Sequence, residues 1–306
     1  MKFTIYQNSR IGGRENNQDR IAYSYSRDAL LMVLADGMGG HLHGEVAAQL
    51  AVQFISETFE KHANPKLKEP QMFFKYAFDN AHRAILSYAS NHRLLDTPRT
   101  TCVACIVQDD TAYWAHAGDS RLYFFHGSKL VTRTRDHSKL QHMLDNGSIS
   151  FEQAATYPER NIIYNCLGGM APPEVELSKK TRIRQGDTFL LCSDGLWNPL
   201  ADDEILAVVS GYPVIQAVQR LIDQAESRDG EKSDNISAIG MTWSGDTSVS
   251  PNLEVSTQTM PLNTFTTQMT GFDSRRDGPE VTDEEIEQAI AEIQKTIEKY
   301  LSLIHI

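Results

Sequence analysis

Five aspartates stand where apolar runs begin or end. In ALLMVLADGMGG an apolar stretch leads straight into Asp36-Gly37, and in DTFLLCSDGLW another leads into Asp194-Gly195. Asp19 in RENNQDRIAYSY and Asp234 in KSDNISAIGM each precede such a stretch, while Asp119 in WAHAGDSRLYFF lies in a turn between two. A single aspartate at a turn is an ordinary turn former or helix cap. Five at the edges of apolar runs, once gathered, would repel one another and lose solvation unless divalent cations neutralised them. The glycine after Asp36 and after Asp194 lets the backbone turn sharply and leaves a carbonyl, such as that of Gly37, open as a further oxygen ligand. No HExxH, paired CxxC or His-rich spacing accompanies the acids, and oxygen-only donors favour Mg²⁺ or Mn²⁺ over Zn²⁺. Two such ions sharing one carboxylate lower the pKa of a bridging water and hold it in line with a phosphorus.

The elements that must position these acids are legible from periodicity. Residues 21–26, 29–35, 101–107, 111–117, 121–125, 188–192 and 236–243 are short, apolar or alternating, and bounded by Gly, Asp, Asn and Ser, which predicts strands. From 45 to 59, Ala47, Leu50, Ala51, Phe54, Ile55 and Phe59 share one helical face, and 73–90 shows the same pattern. Further helices are expected at 202–210 and 213–226. Helices and strands come in blocks, so segregated layers are favoured over a regular βαβ alternation.

Composition narrows the function classes. The formal charge of −11 over 306 residues, without a basic cluster interleaved with aromatics, excludes an electrostatic nucleic-acid footprint and suits a protein that collects cations. The longest apolar run, 29–35, is too short to cross a bilayer, and the first residues lack the charge and apolar core of a secretory signal, so a cytoplasmic location and no membrane partner are expected. Cys102 and Cys105 form a lone CxxC, but in a strand an offset of three places them on opposite faces, so they read as core thiols.

The ordered motifs RENNQD, ADGMGG, RTT, AGDSR, TRDHS, LCSDGLW and SDN resemble the bacterial branch of the metal-dependent protein phosphatases (PPM, protein phosphatase type 2C) over about residues 3–243. That resemblance implies an α+β fold, a four-layer αββα sandwich with two central antiparallel sheets and helices on both outer faces. It implies serine/threonine phosphatase activity through two Mn²⁺ or Mg²⁺ ions, phosphorylated proteins as substrates and a cognate Ser/Thr kinase as the opposing enzyme. Residue by residue, Asp36 is similar to the carboxylate that bridges both ions and Gly37 to the backbone ligand of the second. Asp194 and Asp234 match the acids of the first ion, and Asp19 matches the acid that acts through water near the second. Asp119, with Asp194, matches the holder of a weaker third ion. Arg14 falls where the family places an arginine on the substrate phosphate, and its planar fork suits two phosphate oxygens.

The pattern is departed from in places. Many relatives carry histidine directly after the Asp-Gly to protonate the leaving group, but here that position is Met38; His41 or His43 in MGGHLHGE, with His41 resembling a histidine of bacterial relatives, or a water, are the candidates for the acid. The segment of about 139–165, after Asp136-His137-Ser138, resembles the flap beside the family's cleft. After the phosphatase domain of 1–243 the chain reads as a flexible linker at 244–280 and an amphipathic helix at 281–300, capped by Thr282 and Glu285, that binds a partner, self-associates or folds back. Residues 301–306 read LSLIHI, the peptide of a sequencing-adaptor reading frame, and are treated as adaptor residue and not natural sequence. Two competing functions remain at this point, a non-catalytic phosphopeptide sensor and a two-metal nuclease. Intact Asp36, Asp194 and Asp234 weigh against the first, and the missing basic track against the second.

Overall fold

The computed structural model of the chain describes residues 1–38, 43–154, 157, 162–245, 255–258, 260–262 and 264–270. In chain order the strands are β1 (Lys2–Arg10), β2 (Asp19–Tyr25), β3 (Ala29–Met38), β4 (Arg99–Thr100), β5 (Cys102–Gln108), β6 (Thr111–Ala117), β7 (Arg121–His126), β8 (Lys129–Arg133), β9 (Glu176–Leu177), β10 (Thr181–Arg182), β11 (Thr188–Cys192), β12 (Ile236–Trp243), β13 (Val255–Ser256) and β14 (Thr266–Thr270). The helices are α1 (Gly44–His62), α2 (Pro70–Asn91), α3 (Lys139–Asp145), α4 (Phe151–Ala154), α5 (Asp194–Trp197), α6 (Asp202–Gly211) and α7 (Val214–Asp229).

Two antiparallel sheets result. One runs β13-β1-β12-β11-β7-β8 and the other β10-β6-β5-β3-β2-β14, with β4 beside β3 and β9 beside β6. Strict alternation along β3 shows why the sheets stack. Leu30, Met32 and Leu34 face the other sheet and meet Phe124, Phe189, Ile239 and Met241, whereas Ala29, Leu31, Val33 and Ala35 face α1 and α2. The sheet of β1, β12, β11 and β7 is covered on its far side by α6 and α7, where Val214, Val218, Leu221 and Ile222 pack on Tyr123, Leu190 and Ala238. Helix, sheet, sheet, helix is the expected four-layer αββα order. Cys102 lies in the helix-facing core and Cys105 between the sheets, both free and fully buried, as their offset requires.

Two differences from the sequence reading stand out. β1, whose residues are mostly half-buried and give a weak apolar signal, pairs with β12 from Phe3↔Trp243 to Arg10↔Ile236. The stretch read as a flexible linker contributes two strands: β13 joins β1, and β14 joins β2 from Thr266↔Tyr25 to Thr270↔Ile21. An edge strand needs only backbone pairing and a few anchors, so its polar composition conceals it. Here the anchors are Tyr23, whose hydroxyl donates to Gln268 at 2.7 Å, and Phe265, whose ring stands 6.1 Å from Phe59. The expected helix at 281–300 and the residues 301–306 lie outside the described residues.

β14 is therefore expected to protect β2. A chain ended after Gly245 should show amide exchange in β2 at least about tenfold faster than the full chain. Equal exchange in the two would leave 244–280 a passive tether.

Candidate metal centre

Antiparallel pairing brings all five aspartates to one end of the sandwich. Asp19 opens β2 directly opposite Asp36 near the end of β3. Asp119 lies between β6 and β7, where the chain passes from one sheet to the other. Asp194 opens α5 just beyond β11, and Asp234 precedes β12, whose Ala238 pairs with Cys192 at the end of β11.

Each acid is held by its neighbours. The Asp36 N–H donates to Thr101 Oγ1 at 3.2 Å, and its carbonyl accepts from the Thr101 N–H at 2.9 Å and from Thr100 Oγ1 at 2.9 Å, which gives the RTT stretch a role in fixing the acid. Thr101 Oγ1 also meets Ser120 Oγ at 2.6 Å, tying Asp36 to the turn of Asp119. The Ser193 hydroxyl donates to Asp19 Oδ2 at 2.8 Å. Asn235 is a hub that sequence reading passed over within SDN. Its Oδ1 accepts from the Gln18 N–H at 2.8 Å, and its Nδ2 donates to the carbonyls of Ile11 at 2.9 Å and Asn16 at 3.0 Å. One side chain thus clamps the loop that carries both Arg14 and Asp19.

The glycines play a different part from the one expected. Neither Gly37 nor Gly195 has a positive φ, so neither makes a left-handed turn. Their constraint is space: a Cβ at Gly37 would stand 2.3 Å from the Gly44 carbonyl oxygen and 2.8 Å from that of Gln18, and one at Gly195 would stand 2.1 Å from the Asn235 oxygen. Glycine lets the start of α1 and the Asp234–Asn235 backbone close in on the acids.

The electrostatics are those of a crowded anionic pocket. Burial, partly offset by hydrogen bonds from Ser193 and Ser237, pushes the Asp19 carboxyl up to about 7. Burial and then the Asp234 charge push Asp194 up to about 6. Burial likewise lifts Asp36 and Asp119 well above the usual carboxylate range, with repulsion from Asp19 adding at Asp36 and from Asp194 at Asp119. Asp19 Oδ1 and Asp119 Oδ1 are buried with no hydrogen-bond partner among the described residues. Orphaned oxygens beside mutually repelling acids fit hard divalent cations, and an all-oxygen donor set fits Mn²⁺ or Mg²⁺.

Arg14 reaches the same place. Its Nε and Nη2 fork onto Asp234 at 2.8 and 2.7 Å, while both side chains remain partly open to solvent. Met38 closes β3 opposite Arg99, and His41 lies outside the described residues. His43 takes the N-cap place of α1, with its ring 6.3 Å from that of Tyr88. Cys192 is buried, and burial holds its thiol protonated, which removes it as a nucleophile.

A second cluster gathers His116, His137 and Glu176, with donor atoms within 4.8 Å of one another. It is a poor cation cage. The two imidazoles stack at 4.5 Å with planes 21° apart, so their in-plane lone pairs run nearly parallel and cannot converge on one ion. His137 Nδ1 accepts from Asn165 Nδ2 at 2.7 Å and from the Gly118 N–H at 3.3 Å, which puts the proton on Nε2, facing Glu176 at 3.3 Å.

Carboxyls with a higher pKa in the folded than in the unfolded chain take up protons on folding, so the cation-free fold loses stability as pH rises through about 7. Bound cations need the ionised forms and gain over the same window. Melting of the cation-free protein should fall between about pH 5 and 8, and the rise caused by millimolar Mn²⁺ should be larger at pH 8, by on the order of 5 °C. A Mn²⁺ effect that is equal at both values would rule out buried, protonated acids as its site. Gly37→Ala should weaken Mn²⁺ binding and stability together, because the Gly44 backbone must retreat.

Comparisons with known proteins agree with this geometry. The family model for protein phosphatase 2C matches residues 6–234. A serine/threonine phosphatase, Stp, of Listeria monocytogenes is 31% identical over 229 residues, 74% of this chain and 90% of that protein. The crystal structure of the Mycobacterium tuberculosis serine/threonine phosphatase PstP/Ppp is 31% identical, covers 80% of this chain and 100% of that one, and superposes with a TM-score of 0.70. A PstP catalytic domain in complex with two manganese ions is 30% identical, covers 79% of this chain and 98% of that one, and superposes with a TM-score of 0.67. With the sequence motifs, the αββα fold and the gathered acids all in agreement, the chain belongs to the protein phosphatase 2C family.

Proposed function

We propose that Asp36, Asp194 and Asp234, with the Gly37 carbonyl, hold two divalent cations, Mn²⁺ or Mg²⁺, with which this serine/threonine protein phosphatase hydrolyses phosphoserine and phosphothreonine in other proteins. The observation that carries this reading is the gathering of mutually repelling acids at one end of the sandwich, with a buried, unpartnered oxygen on Asp19 and another on Asp119. When bound, the ions supply Lewis-acid chemistry, lowering the pKa of water and neutralising charge on the phosphoryl group. Asp36, fixed through its backbone by Thr100 and Thr101, would serve both ions. Asp19, oriented by Ser193, would accept a hydrogen bond from water at the second. Asp119, with Asp194, would hold a weaker third ion.

Arg14 orients the substrate phosphate. Its pairing with Asp234 places that fork beside a ligand of the first position, so phosphate and cation sites share one anchor. Water attacks phosphorus directly, and no covalent phosphoenzyme forms. His41 is the candidate proton donor to the leaving alkoxide. The flap of about 139–165 presents the exposed Ile162 and Tyr164 and contacts the phosphoprotein.

A cognate Ser/Thr kinase supplies the phosphoprotein substrates, and the 281–300 segment binds a partner or self-associates. Among the described residues no helix is long and apolar enough to cross a membrane, and we place the enzyme in the cytoplasm.

Assay on a phosphothreonine peptide with Mn²⁺, Mg²⁺ or chelator tests this reading. Asp36→Asn should lower turnover by at least about 100-fold and weaken Mn²⁺ binding; full turnover in excess chelator would sink the mechanism. Arg14→Ala should raise KM by roughly 10- to 100-fold, as the loss of charged hydrogen bonds predicts, with Arg14→Lys restoring part of it. An unchanged KM would make Arg14 a partner of Asp234 alone. His41→Ala should slow hydrolysis of the phosphothreonine peptide far more than that of p-nitrophenyl phosphate, whose leaving group needs no proton.

A further inference from the structure

Asp119 sits on the turn that carries the chain from one sheet to the other, and two consecutive residues, Asp136 and His137, grip that turn from outside. The Asp136 carboxylate accepts a fork from Arg121, at 2.8 Å from Nε and 2.7 Å from Nη2, just after Asp119. His137 brackets Gly118, just before it: the His137 N–H donates to the Gly118 carbonyl at 3.0 Å, and His137 Nδ1 accepts from the Gly118 N–H at 3.3 Å. Gly118 has φ +114, and a Cβ there would stand 2.6 Å from Thr101, so the turn has little room to adjust. On the Asp119 carbonyl, the Trp197 indole N–H donates at 2.9 Å, beneath the Arg121 guanidinium that lies 3.5 Å from the ring centroid.

These two residues and Ser138 lead into the flap. Ser138 caps α3, accepting from the Gln141 N–H at 3.2 Å, and the backbones of 137–139 pair with 162–164 through Lys139 N–H to Ile162 O at 2.8 Å and Tyr164 N–H to His137 O at 3.1 Å. Asn165, at the far end of the flap, donates to His137 Nδ1 at 2.7 Å. It is pinned in turn by Glu174, donating to its carbonyl at 2.7 Å and accepting from its N–H at 2.9 Å. Both ends of the flap therefore converge on one imidazole nitrogen, which also holds the backbone next to Asp119.

We propose that His137 is a positioning residue that couples the flap to the Asp119 carboxylate, so that the placement of the flap sets the affinity of the cation position Asp119 completes. This rests on the reading of Asp119 as a ligand of a weaker third ion. The working group is the acceptor lone pair of Nδ1, not the charge of the ring, because both of its partners are N–H donors. Asparagine can place Oδ1 where Nδ1 stands and preserve that acceptor; leucine fills the space and leaves two buried donors unpaired.

Calorimetric titration with Mn²⁺ alone, paired with amide exchange in the flap, tests the coupling without relying on turnover. Wild-type protein should show a tight phase and a weaker one, and Asp119→Ala should lose the weaker. His137→Leu should move the weaker phase to about fivefold higher Mn²⁺ or beyond, leave the tight phase in place, and speed exchange in α3. His137→Asn should return both to within about twofold of wild type. Asn165→Leu, which removes a donor to Nδ1, should shift the weaker phase in the same direction, and it decides the matter should His137→Leu prove unfolded on melting. A weaker phase unmoved in His137→Leu, or in Asn165→Leu where that variant decides, overturns the coupling while leaving the third-ion reading intact, and equal loss in His137→Asn and His137→Leu overturns the acceptor role. A weaker phase that survives Asp119→Ala overturns the third-ion reading and the coupling with it.

Discussion

Mutual repulsion among buried carboxylates is the constraint around which this protein is organised. Asp19 and Asp119 are buried and Asp36 and Asp194 half-buried at the end of a close-packed sandwich, and each raises the cost of ionising its neighbours. Such an arrangement is tolerable as protons on the acids or as cations among them, and the second alternative is what gives the site chemical use. The fold holds the acids together against their own electrostatics, and in the proposed function cations offset that cost.

The architecture meets this demand through backbone geometry more than through side-chain pairing. Antiparallel strands bring starts and ends to the same edge, so that residues far apart in the chain, such as Asp36 and Asp234, share one pocket. Three of the acids are fixed from behind: threonines at the Asp36 backbone, Ser193 at one oxygen of Asp19, Trp197 at the Asp119 carbonyl. Glycine at 37 and 195 admits neighbouring backbone to within distances that a methyl group would forbid. Arg14, held by Asp234 and by the Asn235 clamp on its loop, keeps a cation of the chain's own at the mouth of the pocket.

Among the described residues, the flap is attached to this frame by hydrogen bonds at its two ends. α3 buries none of its residues, whereas Asp136, His137, Ser138 and Asn165 at the two ends of the flap are all buried. α3, with no buried residue, can change its position at small cost, while a displacement of the roots is felt at Gly118 and Asp119. The polar knot around His137 thus separates a compliant surface from a stiff centre.

Strand and helix positions, the layered class and the aspartates that the fold gathers at one end were legible in the sequence, because apolar periodicity and the acids at its breaks are local properties of the chain. β1 and β14 were not legible, since a half-buried or edge strand carries too few apolar residues to stand out, and its pairing is decided by a partner more than 200 residues away. The reason for the two Asp-Gly glycines was misread as turning, because nothing local reveals that another backbone passes within contact distance. Asn235, His137 and Asn165 were likewise invisible as organisers, although the first two lie in quoted motifs and the third ends the flap segment. By itself the sequence determined which groups could bear the chemistry. Which of them meet, how their ionisation is raised, and what holds them in place were decided only by tertiary structure, because burial and hydrogen bonding between distant segments exist only once the sheets have stacked.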